Sequence, residues 1–160
     1  MSLIKSISGI RGTIGGKPGE GLTPIDVVKF TAAYGAWVLE TTGNAKVVIG
    51  RDARLSGDMV SRLVAATLQG LGIDVIDLEL STTPTVEFAV PRENAGGGII
   101  LTASHNPAEY NGIKLCLSGA RPIGKESGLV TIENYVRDGA PMAMRNVGVE
   151  KTQNMLEEYV

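Results

Sequence analysis

Short apolar runs alternate along the chain with longer segments in which apolar residues recur at helical spacing. The runs predict strands, and the periodic segments predict helices that bury one face. The predicted strands cover residues 3–8, 46–50, 73–78, 98–101 and 113–117. The predicted helices begin near residues 23, 56, 82, 129 and 152. This alternation is typical of an α/β fold in which a largely parallel sheet lies between two helix layers.

Capping residues mark the ends of several predicted helices. Thr23 is an N-cap followed directly by proline, and Asp26, three residues after the cap, suits a capping box. Gly43 is suited to end that helix, and Pro91 is expected to end the third one. These signals predict where the first helix begins and ends, and where the third helix ends.

The first and last predicted strands differ from the others in their expected place or direction in the sheet. Lys5 interrupts the apolar pattern of residues 3–8, so this strand is expected at a sheet edge, followed by a long glycine-rich loop over residues 8–22. The strand from Ile113 follows its predecessor closely, which favours an antiparallel pairing. We therefore predict a three-layer α/β/α fold with a mixed, mostly parallel sheet.

The length of 160 residues suits one domain with a substantial core. We expect this domain to cover residues 1–139. Residues 140–160 then form a linker and the start of a following helix, whose apolar pattern is interrupted by the end of the sequence. The chain is therefore expected to be the first domain of a longer protein.

Composition excludes several classes of partner. Hydrophobic residues make up 43% and charged residues 20%, and the formal net charge is −2. No general basic field would attract nucleic acid, and we see neither a membrane span nor a signal peptide. The single cysteine, Cys116, lies in an apolar run and is expected to be a buried thiol. We expect a cytoplasmic protein that binds neither nucleic acid nor membrane.

Polar side chains follow two of the predicted strands where each strand ends. Ser104, His105 and Asn106 come after the strand at 98–101, and Arg51 comes after the strand at 46–50. The carboxyl ends of strands in open α/β sheets are where loops converge on ligands. We therefore expect these side chains at one end of the sheet.

Two common kinds of site do not fit these residues. No Gly-x-Gly-x-x-Gly motif stands at a strand-to-helix junction, and Gly16-Lys17 is followed by proline where a phosphate-binding P-loop requires serine or threonine. Ser104 lacks the flanking glycines of a nucleophile elbow, and His105 is the only histidine. A dinucleotide site, a Walker-type site and a serine esterase triad are therefore all disfavoured.

The segment Thr102-Ala103-Ser104-His105-Asn106-Pro107, followed by Tyr110-Asn111-Gly112-Ile113-Lys114, resembles the phosphoserine loop of the α-D-phosphohexomutases. This family includes phosphoglucomutase, phosphomannomutase and phosphoglucosamine mutase. The resemblance covers roughly residues 3–125. It implies that Ser104 is the nucleophile that carries phosphate and that Lys114 is the general acid/base.

Further residues are expected to hold the phosphate. The resemblance implies that His105 and Arg11 orient it, because the family begins with a similar stretch whose arginine faces the active site. A phosphoserine carries close to two negative charges, and Arg51 is a further cation suited to it. Asn106, beside His105, is the remaining predicted phosphate-binding residue.

The resemblance also implies a reaction and its partners. Hexose 1-phosphates and 6-phosphates would be interconverted through a hexose 1,6-bisphosphate that exchanges phosphate with the serine. In the family, Mg²⁺ bridges the phosphoserine to an aspartate-rich loop on a second domain. This sequence has no Asp-x-Asp-x-Asp cluster, so Ser104 or its phosphate is the only expected metal ligand. We therefore expect the chain to be inactive without the remaining domains.

Two other functions stay open at the level of sequence. The chain could be a non-catalytic α/β module that binds sugar phosphates or nucleotides through the loops of Arg11, Arg51 and Lys114. A pure interaction domain is disfavoured, because the loop ends are polar and rich in glycine instead of apolar. The residues do not distinguish among glucose, mannose and glucosamine phosphates.

Overall fold

The computed structural model describes residues 3–6, 9–119, 121–124, 128–142 and 145–154. The strands are β1 (Ile4–Ser6), β2 (Gly9–Thr13), β3 (Lys46–Arg51), β4 (Asp74–Leu80), β5 (Gly97–Leu101), β6 (Tyr110–Cys116) and β7 (Glu150–Thr152). The helices are α1 (Pro24–Thr42), α2 (Gly57–Gly70), α3 (Thr83–Arg92) and α4 (Val130–Asp138). No described helix is long and apolar enough to cross a membrane.

The strands form one mixed sheet in the order β1-β2-β6-β5-β3-β4-β7. β5, β3, β4 and β7 pair in parallel, whereas β6 is antiparallel to both β5 and β2, and β1 is antiparallel to β2. β2 therefore points the same way as β5. Five of these seven strands share one direction, which confirms the predicted mixed, mostly parallel sheet. The antiparallel pairing predicted for the strand at Ile113 is also confirmed.

Helices cover both faces of the sheet, as predicted, but unequally. α1, α2 and α4 lie on one face, over a large apolar cluster that includes Phe30, Tyr34, Leu68 and Ile132. α3 lies on the other face, over a smaller cluster built around Val86, Val90 and Ile100. The larger cluster supplies most of the core.

The capping signals were confirmed for α1. The Thr23 hydroxyl accepts a bond from the Asp26 amide, and the Asp26 carboxylate accepts one from the Thr23 amide at 2.9 Å. Gly43 ends the helix in the left-handed conformation at φ 64°. α3 includes Pro91 and ends one residue later, at Arg92.

Two segments differ from the prediction because each pairs with an edge of the sheet. Residues 9–13, expected in a loop, form β2, whose backbone bonds to β6. Thr152, expected to start a helix, belongs to β7, which pairs with β4, and residues 155–160 lie outside the described part. An edge strand offers unpaired backbone groups, so neighbouring chain can pair there without an apolar pattern of its own.

Cys116 is buried in the smaller apolar cluster, on the face of the sheet that α3 covers, as the sequence predicted for this thiol. The Tyr34 hydroxyl donates to the Cys116 carbonyl oxygen at 2.6 Å. Burial, together with the nearby Glu87 carboxylate, raises the pKa of the Cys116 thiol to about 12, while Lys114 acts in the opposite direction. The thiol is therefore neutral and unreactive at neutral pH.

This shift predicts a specific alkaline loss of stability. Because the folded pKa is raised from its ordinary value of 9.0, the contribution of the buried thiol is complete below pH 9 and is lost as the pH rises toward 12. In that window, the free energy of unfolding should fall by about 1.4 kcal/mol more per pH unit for wild type than for Cys116→Ala. Urea denaturation of both proteins across this window measures the difference, and parallel curves would contradict the prediction.

Candidate active site

Ser104 lies on an exposed turn between β5 and β6, at the carboxyl end of β5. Its backbone is in the left-handed region at φ 53°, which is rare for a residue other than glycine. The Ser104 amide donates to the Thr102 hydroxyl at 3.0 Å, and the Asn106 amide donates to the Ala103 carbonyl oxygen at 3.0 Å. The turn therefore presents the serine side chain to solvent while its backbone is held.

Arg11 reaches this turn from β2. Its Nη1 donates to Asn106 Oδ1 at 2.9 Å, so two predicted site residues, far apart in sequence, are in contact. The pairing of β2 with β6 sets Arg11 opposite Gly112. The strand that was predicted as a loop is thus what carries Arg11 to the serine turn.

Lys114 and Arg11 project from the same face of the sheet. Gly112 and Lys114 are two positions apart on β6, and side chains two positions apart on a strand share a face. Because Arg11 pairs with Gly112, it shares that face as well. Lys114 is half-buried, and His105 is exposed directly beside Ser104.

The register places Arg51 differently from the other predicted cations. Arg51 pairs with Leu101 and Lys114 pairs with Ile100, so Arg51 lies on the opposite face of the sheet from Lys114. Its side chain lines a cavity of about 360 Å³ together with Leu78, Glu79, Leu80 and Asn154. Its Nη1 is 3.4 Å from the Asp52 carbonyl oxygen. A role for Arg51 at the phosphate stays a prediction that this register does not favour.

Arg54 is the site residue that the sequence reasoning missed. Its Nη1 donates to the carbonyl oxygens of Pro107 at 2.7 Å and Tyr110 at 2.9 Å. Its Nη2 donates to those of Asn106 at 2.9 Å and Ser104 at 3.2 Å. Arg51 ends β3 and Arg54 lies in the loop directly after it. The presence of this second arginine near the carboxyl end of the strand was the signal in the sequence that could have identified it.

The described residues include no ready-made site for a divalent cation. Among the described residues, no group of three or more His, Cys, Asp or Glu side chains is placed to hold a metal. Asp74 and Asp77, the nearest approach to an acidic cluster, accept bonds from the amides of Val149 and Glu79. Binding of a metal by the Ser104 oxygen, or by a phosphate on it, stays a prediction.

The described geometry is suited to carrying an anion on Ser104. The hydroxyl is exposed, the turn is fastened by the Arg54 guanidinium, and Arg11 and Lys114 lie on one face of the adjacent strands. Positive side chains and oriented amides stabilise a phosphoryl group without covalent activation by the protein. An apolar docking face would not need this concentration of polar groups around one hydroxyl.

The chain matches a known protein family over most of its length. The family described as "Phosphoglucomutase/phosphomannomutase, alpha/beta/alpha domain I" matches residues 3–141. A phosphoglucomutase/phosphomannomutase of Thermococcus kodakarensis is 35% identical over 154 residues, which are 93% of this chain and 34% of that protein. A phosphoglucosamine/phosphogalactosamine mutase of Sulfurisphaera tokodaii is 35% identical over 138 residues, which are 86% of this chain and 28% of that protein.

A solved structure has the same fold. A phosphoglucomutase/phosphomannomutase family protein from Burkholderia thailandensis superposes with a TM-score of 0.80 at 27% identity, over 96% of this chain and 33% of its own. This chain therefore spans about a third of the length of the proteins it matches.

Proposed function

We propose, from the premise that this chain belongs to the phosphoglucomutase/phosphomannomutase family and matches its domain I, that Ser104 is the phosphate-carrying residue of a phosphohexomutase. The observation that supports this most directly is the exposed Ser104, presented on a turn in a left-handed conformation. Arg54 donates to the Ser104 carbonyl oxygen, and Arg11 donates to Asn106 of the same turn. Strained backbone at an exposed polar residue is a feature of functional sites.

The proposed reaction exchanges phosphate between the serine and a sugar. The Ser104 oxygen attacks the phosphorus of a hexose 1,6-bisphosphate, the bond from that phosphorus to the sugar oxygen breaks, and the serine proton passes to the sugar oxygen. Lys114 is proposed to relay this proton. The reverse transfer, onto the other end of a bound hexose monophosphate, completes the interconversion of 1-phosphate and 6-phosphate.

The remaining roles follow from charge. Arg11 is proposed to hold the phosphate while it also fixes Asn106, and His105 is proposed to donate to a phosphate oxygen. Mg²⁺ would neutralise charge at the phosphoserine, and its other ligands would come from the remainder of a longer protein. We propose a cytoplasmic enzyme in which the isolated chain does not turn over.

The choice among hexose phosphates is left to that remainder. Relatives at equal identity include both a phosphoglucomutase/phosphomannomutase and a phosphoglucosamine/phosphogalactosamine mutase. The part of the chain that resembles them therefore carries the shared phosphate chemistry and does not distinguish the sugars.

The test is phosphate transfer onto the full-length protein that contains this chain. After incubation with glucose 1,6-bisphosphate and Mg²⁺, we expect an intact-mass increase of one phosphate, mapped by peptide mass spectrometry to Ser104. Ser118, which is also exposed on a turn, is the internal control and should stay unmodified. Sugar phosphate binding without any phosphoenzyme would instead favour a non-catalytic binding module, and phosphate on another residue would exclude the assignment of Ser104.

A further inference from the structure

Arg54 lies largely out of solvent at the base of the serine turn, where its guanidinium donates to backbone carbonyl oxygens of the turn. Its side chain is only 12% exposed, and its Nε lies 3.4 Å from Asp52 Oδ2. Asp52 is itself anchored, because its amide donates to the Leu101 carbonyl oxygen at 3.1 Å and its carboxylate accepts from the Arg54 amide at 3.2 Å. The guanidinium therefore has a fixed position relative to the end of β5.

One side chain thus gathers four carbonyl oxygens from the segment between Ser104 and Tyr110. The planar guanidinium carries donors in a rigid fork, so it can span several acceptors whose relative positions it then fixes. Bonds to a charged donor are stronger than those between neutral groups. The conformation of the turn is consequently determined by Arg54 more than by bonds within the turn.

This arrangement has a consequence for the amide that follows the serine. The described peptide bonds are trans, so the His105 N–H points away from the Ser104 carbonyl oxygen and therefore away from Arg54. Within the described residues, this N–H has no hydrogen-bond acceptor. It is a backbone donor adjacent to Ser104 and free to donate to a ligand oxygen.

We propose that Arg54 is a positioning residue for phosphoryl transfer. It holds Ser104 in its left-handed conformation and directs the His105 amide at the phosphate that Ser104 carries, so that charge developing during transfer meets a donor already in place. Arg54 touches neither the substrate nor the reacting atoms. This inference rests on the proposed function of Ser104.

The test compares the rate of Ser104 phosphorylation in the full-length protein with and without the guanidinium. At saturating glucose 1,6-bisphosphate, Arg54→Ala should slow the reaction about 100-fold, which is the cost of misplacing a reacting group by about 1 Å. The KM for the bisphosphate should stay within about twofold, since Arg54 does not contact it. The phosphorylation rate of Arg54→Lys should lie between those of wild type and Arg54→Ala, because an ammonium keeps the charge but cannot span four carbonyls. Arg62→Ala, which removes an exposed arginine of α2, is the control and should behave as wild type.

Hydrogen exchange provides a readout that does not depend on phosphate. The amides of Asn106 and Tyr110, bonded to carbonyls within the turn, should exchange faster in both Arg54 variants, while amides of β3 and β4 keep their protection. Wild-type phosphorylation rates and wild-type exchange in folded Arg54→Ala, or in Arg54→Lys if the alanine variant does not fold, would overturn the inference. A wild-type protein that takes no phosphate would instead remove the proposed function, and the exchange data would still decide whether Arg54 orders the turn.

Discussion

Ser104→Ala and Ser104→Gly are both expected to take no phosphate from a hexose bisphosphate, yet to differ from each other in stability. Both lack the hydroxyl that the proposed transfer requires, so phosphorylation should fall to background. Both keep the amide that donates to Thr102. Only glycine adopts the conformation at φ 53° without a penalty from Cβ.

The stability difference should favour Ser104→Gly over Ser104→Ala by about 1 kcal/mol, partly offset by the greater freedom of glycine in the unfolded chain. Urea denaturation of the two variants measures it directly. If Ser104→Gly proves the less stable variant, the turn is not strained as described. If either variant still takes phosphate and turns over substrate, Ser104 is not the phosphate carrier.

Gly112→Ala is expected to destabilise the protein by about 2–3 kcal/mol, within the range for overpacking, and to slow phosphorylation of Ser104. An added Cβ would lie 2.6 Å from the Thr102 carbonyl oxygen, 2.7 Å from Arg11 Cγ and 3.0 Å from the Ile10 carbonyl oxygen. Two of these atoms are backbone, so β2 or the start of the serine turn must shift. The same change would displace Arg11 from Asn106.

Gly70→Ala provides the matched control for this substitution. Gly70 lies in the last turn of α2 and has open space where a Cβ would be placed. Alanine there should be neutral or stabilise the protein by up to about 1 kcal/mol, because it restricts the unfolded chain and favours the helix. Equal effects of the two substitutions in thermal or urea denaturation would show that the packing around Gly112 is not as close as described.

The serine turn itself could be predicted from sequence because its signals are local. An apolar run that breaks into Ser104-His105-Asn106-Pro107 already indicates a strand followed by a turn, and the longer motif through Lys114 identified the family. The order of helices and strands was predictable for the same reason, since hydrophobic period and capping depend on residues a few positions apart.

Arg54 could not be distinguished from Arg51 by such signals. Arg51 is the last residue of β3 and Arg54 lies in the loop that follows, and either has the charge to approach the turn. The register of β3 against β5 places Arg51 on the other face, while the loop after β3 brings Arg54 under the carbonyls of the turn. Register depends on pairing between distant strands, and a shift of one residue reverses every side chain.

The amino-acid sequence by itself determined the α/β alternation, the ends of α1, the burial of Cys116 and the position of Ser104 on a turn, because each depends on periodicity or on neighbouring residues. Only the tertiary structure decided that residues 9–13 and 150–152 are strands and that Arg11 and Arg54 meet the serine turn. These outcomes depend on which sheet edges lie free and on which backbone carbonyls converge. The free edges and the convergence of carbonyls arise only when strands far apart in sequence have paired, so neighbouring residues do not encode them.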